Sequence, residues 1–109
     1  MTDVSGSTAP SGPIRVLICD DSAVVRGILR RFLEKEDDIA VVDAVPNGKV
    51  AVERISKIDV DVVILDIEMP VMDGLEALPK LLKADPSMKV IMASTLTDRN
   101  ASISLKALD

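Results

Sequence analysis

Acidic and hydroxyl side chains stand directly after three of the short apolar runs in this sequence. Asp20 and Asp21 follow the first run, Asp66 follows the third, and Ser94 and Thr95 follow the fourth. Open α/β sheets bind ligands at the carboxyl ends of their strands, so neighbouring strands would bring these side chains to one edge. Clustered carboxylates repel one another and need a cation. Oxygen ligands without His or Cys indicate Mg²⁺, with Mn²⁺ as the alternative.

A hard cation held in this way can bridge a carboxylate and a phosphoryl group. Phosphoryl transfer needs mainly positioning and charge neutralisation from the protein. We therefore predict that Asp66 supplies the attacking oxygen and that Asp20 and Asp21 hold the metal. Ser94 would then bond the new phosphoryl oxygens. The structural alternative is that each Asp only caps the helix after it, which explains a lone Asp better than three on one rim.

Four apolar runs must supply the strands that position these side chains. They are residues 16–19, 39–42, 62–65 and 90–93. All are rich in β-branched residues and none alternates polar with apolar, which is typical of strands buried on both faces of a parallel sheet.

Helical periodicity follows each run. The first predicted helix starts at Ser22 and has the apolar face Val25, Ile28, Leu29, Phe32 and Leu33. The second starts at Asn47-Gly48, with Ala51, Val52, Ile55 and Ile58 on its apolar face, and the third starts at Asp73-Gly74, with Leu75, Leu78, Leu81 and Leu82. The fourth starts at Thr97 or Asp98, with Ile103, Leu105 and Leu108 on its apolar face. Gly27, inside the first helix, is interpreted as a site of close packing. Four β-α units with right-handed crossovers predict a doubly wound α/β fold.

The composition excludes several classes of protein. The chain has 109 residues, 13 Lys and Arg against 18 Asp and Glu, a formal charge of −5, one Phe, one Cys, and no His, Trp or Tyr. Without His, a Ser-His-Asp or Cys-His catalytic unit and a His-ligated zinc site are excluded. An acidic chain with one aromatic residue is a poor nucleic-acid binder. Cys19 is predicted to be an inert core residue.

Location and domain organisation follow from the same data. A single Cys fits a reducing compartment, and apolar runs of at most four residues with no secretory signal predict a cytoplasmic protein without a membrane span. Residues 1–13 are predicted to be a disordered lead-in and residues 14–109 one domain. Because the fourth unit is the last, its strand is expected to form a sheet edge. We expect another chain to cover that edge, by dimerisation or swapping, if the chain is not a fragment.

Two motifs carry a resemblance to a known family. Residues 20–22 (Asp-Asp-Ser) and residues 66–74 (Asp-Ile-Glu-Met-Pro-Val-Met-Asp-Gly) resemble those of response-regulator receiver domains. Residues 94–99 (Ser-Thr-Leu-Thr-Asp-Arg) and 105–108 (Leu-Lys-Ala-Leu) are similar to the receiver of chemotaxis protein-glutamate methylesterases of the CheB type. The resemblance covers residues 14–109.

The resemblance implies a role for each site residue. Asp66 would accept a phosphoryl group from a chemotaxis-type histidine kinase. Asp21 and Asp66 would bind Mg²⁺ directly, together with the backbone carbonyl of Glu68, and Asp20 would contribute through water. Ser94 would be the switch hydroxyl and Thr95 the small residue beside it. Phosphorylation would regulate an attached or partner methylesterase domain.

The resemblance also implies a flavodoxin/CheY-like parallel sheet in the order 2-1-3-4. The fifth β-α unit usual in this family, with its Lys-Pro, is not found in the sequence. The esterase domain is also missing, so this chain is predicted to be a phosphoacceptor and not an enzyme.

Two alternatives remain open. One is an unphosphorylated interaction module that associates through the uncovered sheet edge and a helix face. The other is a Mg²⁺-dependent phosphatase or phosphotransferase acting on small substrates. The second is disfavoured because the chain has no acid or base beyond carboxylates and no basic substrate-binding loop.

Overall fold

Four parallel strands form the sheet on which the described part of the chain is built. The computed structural model describes residues 12–93 and 103–104. The strands are β1 (Ile14–Cys19), β2 (Ile39–Val45), β3 (Val62–Asp66), β4 (Lys89–Ala93) and β5 (Ile103–Ser104), and the helices are α1 (Ala23–Leu33), α2 (Gly48–Ile55) and α3 (Gly74–Ala84). The sheet order is β2-β1-β3-β4-β5, with β1 to β4 parallel. This confirms the predicted doubly wound fold and its 2-1-3-4 order.

The short strand β5 corrects two predictions, that of a helix in this part of the chain and that of β4 as an edge of the sheet. Ile103 and Ser104 pair antiparallel with β4, opposite Ala93 and Met92. An edge strand presents unpaired N–H and C=O groups, and pairing with them outweighs the helical periodicity of this segment. The rest of the predicted fourth helix and almost all of the predicted lead-in lie outside the described residues.

Strand β2 differs from the other parallel strands because it lies at a sheet edge. Most of its residues are partly exposed and only Val45 is buried, so the prediction that all four strands are buried on both faces is wrong for β2. Its register with β1 shifts at Val42, where β1 passes from a pairing with Val41 to one with Asp43. Such a bulge twists an edge strand and protects it from pairing with other chains.

The main core lies between the sheet and helices α2 and α3. Alternate strand residues, including Leu17, Val63 and Leu65, pack there with Ala77 and Leu81, and all five are fully buried. Burying one such Leu side chain contributes roughly 1.5–3 kcal/mol. The sheet positions that hold the site are therefore fixed by apolar packing directly behind them.

Helix α1 turns only part of its predicted apolar face to the sheet. Val24, Ile28 and Phe32 form an outward row with relative exposures of 70%, 51% and 68%, while Val25, Leu29 and Leu33 are partly buried. The predicted burial of Ile28 and Phe32 is therefore wrong. The helix has two apolar rows at the same spacing, and its contact with the sheet selects one of them. In α3, Leu75 is likewise exposed, contrary to prediction.

The predicted helix starts are confirmed by their N-caps. Side-chain oxygens of Ser22, Asn47 and Asp73 accept hydrogen bonds from backbone N–H groups three residues later, at 3.2, 3.0 and 2.8 Å. The interpretation of Gly27 is wrong, because a Cβ built there meets only the Arg31 guanidinium, at 3.9 Å. Among residues 12–93 the helices are too short to cross a bilayer.

Candidate functional site

Three carboxylates meet at the carboxyl edge of the sheet. One oxygen each from Asp20, Asp21 and Asp66 lies within 4.8 Å of the others. Asp20 and Asp66 are buried, each with a relative exposure of 1%, and Asp21 is partly exposed. The meeting of these side chains at one edge was predicted from their positions after β1 and β3. The carboxylates meet because β1 and β3 are adjacent and parallel, so that both strands end at the same edge.

The turn from β1 into α1 is fixed by hydrogen bonds around Asp20. Its backbone N–H donates to the carbonyl of Val45 at 3.0 Å, which extends the pairing of β1 with β2. Its Oδ1 accepts from the backbone N–H of Ser22 at 2.8 Å. Its backbone carbonyl accepts from Nη1 of Arg26 at 2.7 Å. These bonds hold the acidic pair at the end of β1 in one conformation.

Asp66 is positioned by both of its sheet and helix neighbours. It is the last residue of β3 and lies opposite Ala93 in the register with β4. Just beyond it, the N–H of Ile67 donates to the carbonyl of Ala93 at 3.1 Å, and the N–H of Gly74 donates to the carbonyl of Ile67 at 2.8 Å. A Cβ at Gly74 would overlap the backbone carbonyl of Asp66. The glycine of the Asp-Gly pair is therefore required for close approach of α3 to the phosphoacceptor candidate.

The loop from β3 to α3 contains a strained turn that the sequence did not predict. The N–H of Met72 donates to the carbonyl of Pro70 at 2.8 Å, and Val71 between them has φ = 70°. This is a γ-turn with its central residue in the left-handed region, which is unfavourable for a β-branched side chain. The carbonyl of Met72 accepts from the N–H of Gly48 at 3.0 Å, which ties the loop to the start of α2.

The donor set fits a hard divalent cation. All three side chains offer carboxylate oxygens, the ligands that Mg²⁺ prefers in proteins. Oδ1 of Asp21 is buried and has no hydrogen-bond partner within the described part of the chain. A buried carboxylate oxygen in that situation is expected to bind a cation or an ordered water. Asp20, Asp21 and Asp66 are therefore able to hold the metal.

Cys19 precedes the cluster and belongs to the core. Burial, followed by the negative charges of Asp20 and Asp66, raises the pKa of its thiol to about 12. Its Sγ lies 3.6 Å from Sδ of Met69. A thiol with this pKa stays protonated and is a poor nucleophile, in agreement with the predicted inert role.

The structure describes less about the other predicted site residues. Glu68 is exposed and lies in the loop after β3, two residues beyond Asp66. Ser94 and Thr95 lie outside the described residues. The residue before them, Ala93, is the β4 residue that pairs with Asp66.

Comparison with known protein families identifies the family of this chain. A family model for the response regulator receiver domain matches residues 16–109. The chain belongs to this family. The resemblance inferred from residues 20–22 and 66–74 is thereby confirmed.

The chain is also similar to the amino-acid sequences of protein-glutamate methylesterases. The chain is 55% identical over 107 residues to the protein-glutamate methylesterase/protein-glutamine glutaminase of group 2 operon of Rhodospirillum centenum, covering 98% of this chain and 27% of the relative. It is 59% identical over 107 residues to methylesterase/glutaminase 1 of Rhodospirillum rubrum, covering 98% and 28%. The receiver chain thus spans about a quarter of the length of these curated relatives.

Solved receiver structures share the fold. The response regulator domain of Thermotoga maritima CheB is 40% identical and superposes with a TM-score of 0.73, covering 83% of this chain and 66% of that one. A chain from the CheX-CheY-BeF3-Mg²⁺ complex of Borrelia burgdorferi is 33% identical with a TM-score of 0.73, covering 78% and 64%. The chain is a receiver domain of the CheB type.

Proposed function

We propose that this receiver domain accepts a phosphoryl group on Asp66 in a Mg²⁺-dependent reaction. The observation that supports the proposal is the meeting of Asp20, Asp21 and Asp66, with one oxygen of each within 4.8 Å of the others. Buried like charges at a strand end are unfavourable unless a cation joins them. In proteins such sites are typical of phosphoryl transfer.

In the proposed step, a carboxylate oxygen of Asp66 attacks the phosphorus of a phosphohistidine. The new O–P bond forms as the P–N bond breaks. The electron pair of that bond stays on the imidazole nitrogen. If the second ring nitrogen already carries a proton, the imidazole leaves as a neutral molecule; otherwise the leaving nitrogen takes up a proton from water. The 109 residues contain no His, so the donor histidine lies outside this domain, and we propose that a chemotaxis-type histidine kinase in the cytoplasm supplies it.

Each site residue has a proposed task. Asp21, Asp66 and the backbone carbonyl of Glu68 would bind the metal directly, and Asp20 would act through water. When bound, Mg²⁺ would neutralise the charge on the phosphoryl oxygens. Burial of Asp66 among β1, β3 and β4 would exclude water from one side of its carboxylate.

Two hydroxyl residues complete the proposed site. Ser94 follows Ala93, the partner of Asp66 in the sheet register, and would donate a hydrogen bond to a phosphoryl oxygen. Thr95 would occupy the neighbouring position. Phosphorylation adds roughly −1.5 to −2 charges, and we propose that the response of these residues regulates a methylesterase domain like those of the relatives.

Beryllofluoride, which mimics a phosphoryl group on a carboxylate, provides the decisive experiment. Wild-type chain labelled with ¹⁵N is titrated with beryllofluoride and Mg²⁺, and amide shifts and the ¹⁹F spectrum are recorded. Binding is expected for wild type and abolished in Asp66→Asn. The matched control is Asp73→Asn, which lies in the same loop, is exposed and keeps a residue suited to the N-cap of α3.

The outcomes distinguish the alternatives. Absence of binding to wild type would overturn the phosphoacceptor proposal, and binding to Asp66→Asn equal to wild type would show that Asp66 is not the acceptor. Catalytic turnover of a phosphate ester by the chain would instead support the phosphatase.

A second candidate function is that of an unphosphorylated interaction module. The exposed row of Val24, Ile28 and Phe32 on α1 favours it, because apolar residues grouped on a surface often mark contact sites. Sedimentation at several concentrations tests whether the chain associates with itself. Self-association without beryllofluoride binding would support this candidate over the phosphoacceptor.

A further inference from the structure

Arg26 places a cationic side chain beside the acidic end of β1. It lies in the second turn of α1, and its Nη1 donates to the backbone carbonyl of Asp20 at 2.7 Å. Side chains of a helix lean toward its N-terminus. An arginine at this position can therefore reach back over the first turn to the strand that precedes the helix.

This hydrogen bond acts on the peptide that joins the two acids. The carbonyl of Asp20 and the N–H of Asp21 belong to one planar unit. Fixing the carbonyl oxygen therefore fixes the plane from which the Asp21 side chain departs. On the other side, the carboxylate of Asp20 is held by the N–H of Ser22 at 2.8 Å. The acidic pair is thus held both through its side chain and through its main chain.

We infer that Arg26 is a positioning residue for the metal-binding carboxylates, directing Asp21 toward Asp66 through its bond to the Asp20 carbonyl. This rests on the proposed function, since it concerns the same Mg²⁺ site. Arg26 does not bind the metal itself.

A purely electrostatic role would have the opposite consequence. A positive charge close to a cation site weakens cation binding, so its removal would tighten binding of Mg²⁺. Loss of a positioning contact behind metal ligands instead weakens binding, by about tenfold or more. The sign of the change in affinity therefore separates the two roles.

The experiment compares Arg26→Met with wild type by Mg²⁺ titration of the ¹⁵N-labelled chain. Arg31→Met is the matched control, because it removes the same charge from an exposed position of the same helix. We expect Arg26→Met to bind Mg²⁺ about tenfold more weakly, Arg31→Met to bind as wild type does, and Arg26→Lys, which keeps a donor and the charge, to recover most of the affinity.

A second measurement needs no metal. In EDTA, hydrogen exchange of the Ser22 amide reports the bond to Asp20 Oδ1. Its protection is expected to fall in Arg26→Met and to be retained in Arg26→Lys and Arg31→Met. Far-UV circular dichroism verifies folding. If Arg26→Met does not fold, Arg26→Gln replaces it in the same comparison.

Unchanged or tighter Mg²⁺ binding in the folded Arg26→Met or Arg26→Gln variant would overturn the positioning role and leave the proposed function intact. Absence of Mg²⁺ binding to wild type would overturn both. Equal weakening in Arg31→Met would also contradict the inference, because it would show that the loss does not depend on the bond to the Asp20 carbonyl.

Discussion

Aspartates have opposite roles at the two ends of the parallel strands. At the amino ends of the strands (the amino edge of the sheet), Asp61 precedes β3 and is paired with Arg15 of β1. It accepts from the backbone N–H of Arg15 at 2.8 Å and from its Nε and Nη2 at 3.0 Å each. Asp59 adds an ion pair to the same guanidinium at 3.4 Å. At the carboxyl edge, by contrast, three carboxylates lie close to one another.

The difference separates stabilisation from function. The hydrogen bonds from Arg15 hold the pKa of the Asp61 carboxyl below its ordinary value, so the ionised form stabilises the fold. Gathered carboxylates repel one another and oppose folding in the absence of a cation. The carboxyl edge is therefore held mainly by packing and backbone bonds, while the amino edge is held partly by its charges.

Gly74→Ala is expected to have the largest effect, because it tests the backbone contact that holds the carboxyl edge. The added Cβ would overlap the Asp66 carbonyl, so α3 or the end of β3 must move, at a cost of about 3 kcal/mol. Urea unfolding followed by far-UV circular dichroism measures it. Gly27→Ala is the control and should gain about 1 kcal/mol, since its Cβ would make only a van der Waals contact, with the Arg31 guanidinium. Equal effects at the two glycines would contradict the close-approach argument.

Asp61→Asn tests the paired carboxylate and should lower the free energy of unfolding at neutral pH by about 1 kcal/mol. Because the folded-state pKa of Asp61 is lowered, its contribution is fully present above the unfolded value of about 3.9 and is lost as the pH falls through the folded value. The variant should therefore lose less stability than wild type on acidification below about pH 4. Thermal unfolding between neutral and acidic pH measures this.

Asp59→Asn is the control for that comparison. Asp59 contacts the same guanidinium at 3.4 Å but its side chain is 87% exposed, so little change is expected. If Asp59→Asn lowered the free energy of unfolding as much as Asp61→Asn does, net charge would stabilise the amino edge, and not the bidentate pairing of Asp61 with Arg15.

Asp21→Asn should have the smallest effect on stability and the opposite sign. Removing one of the gathered charges is expected to stabilise the chain in EDTA by on the order of 0.5 kcal/mol. With saturating Mg²⁺ the order should reverse, because only wild type gains the free energy of binding. Urea unfolding with and without Mg²⁺ measures both. Asp37→Asn, in the exposed turn before β2, is the charge control. If Asp21→Asn were less stable than wild type in EDTA, the carboxylates at the carboxyl edge would stabilise the fold as Asp61 does at the amino edge, which would contradict the proposed difference.

Local sequence patterns predicted much of the scaffold. The apolar runs located the parallel strands, and Ser22, Asn47 and Asp73 marked the helix starts. The meeting of the three carboxylates was predicted on the condition that β1 and β3 are neighbours, and that adjacency was implied by the resemblance to receiver domains. The patterns did not separate the partly buried row of α1 from the exposed Ile28 and Phe32, since two apolar rows share one spacing. They also missed the pairing of Ile103 with β4.

The sequence by itself determined the order of elements, the fold class and the acids that stand at the strand ends, because periodicity and strand-end position are local properties. Tertiary structure decided how those acids are held. The close approach of Gly74 to Asp66 depends on how α3 packs against the end of β3. The loop that contains Val71 is tied to the start of α2 by the bond from Gly48 to the Met72 carbonyl. Residue spacing along the chain does not specify these contacts, because they arise only when separate elements pack together.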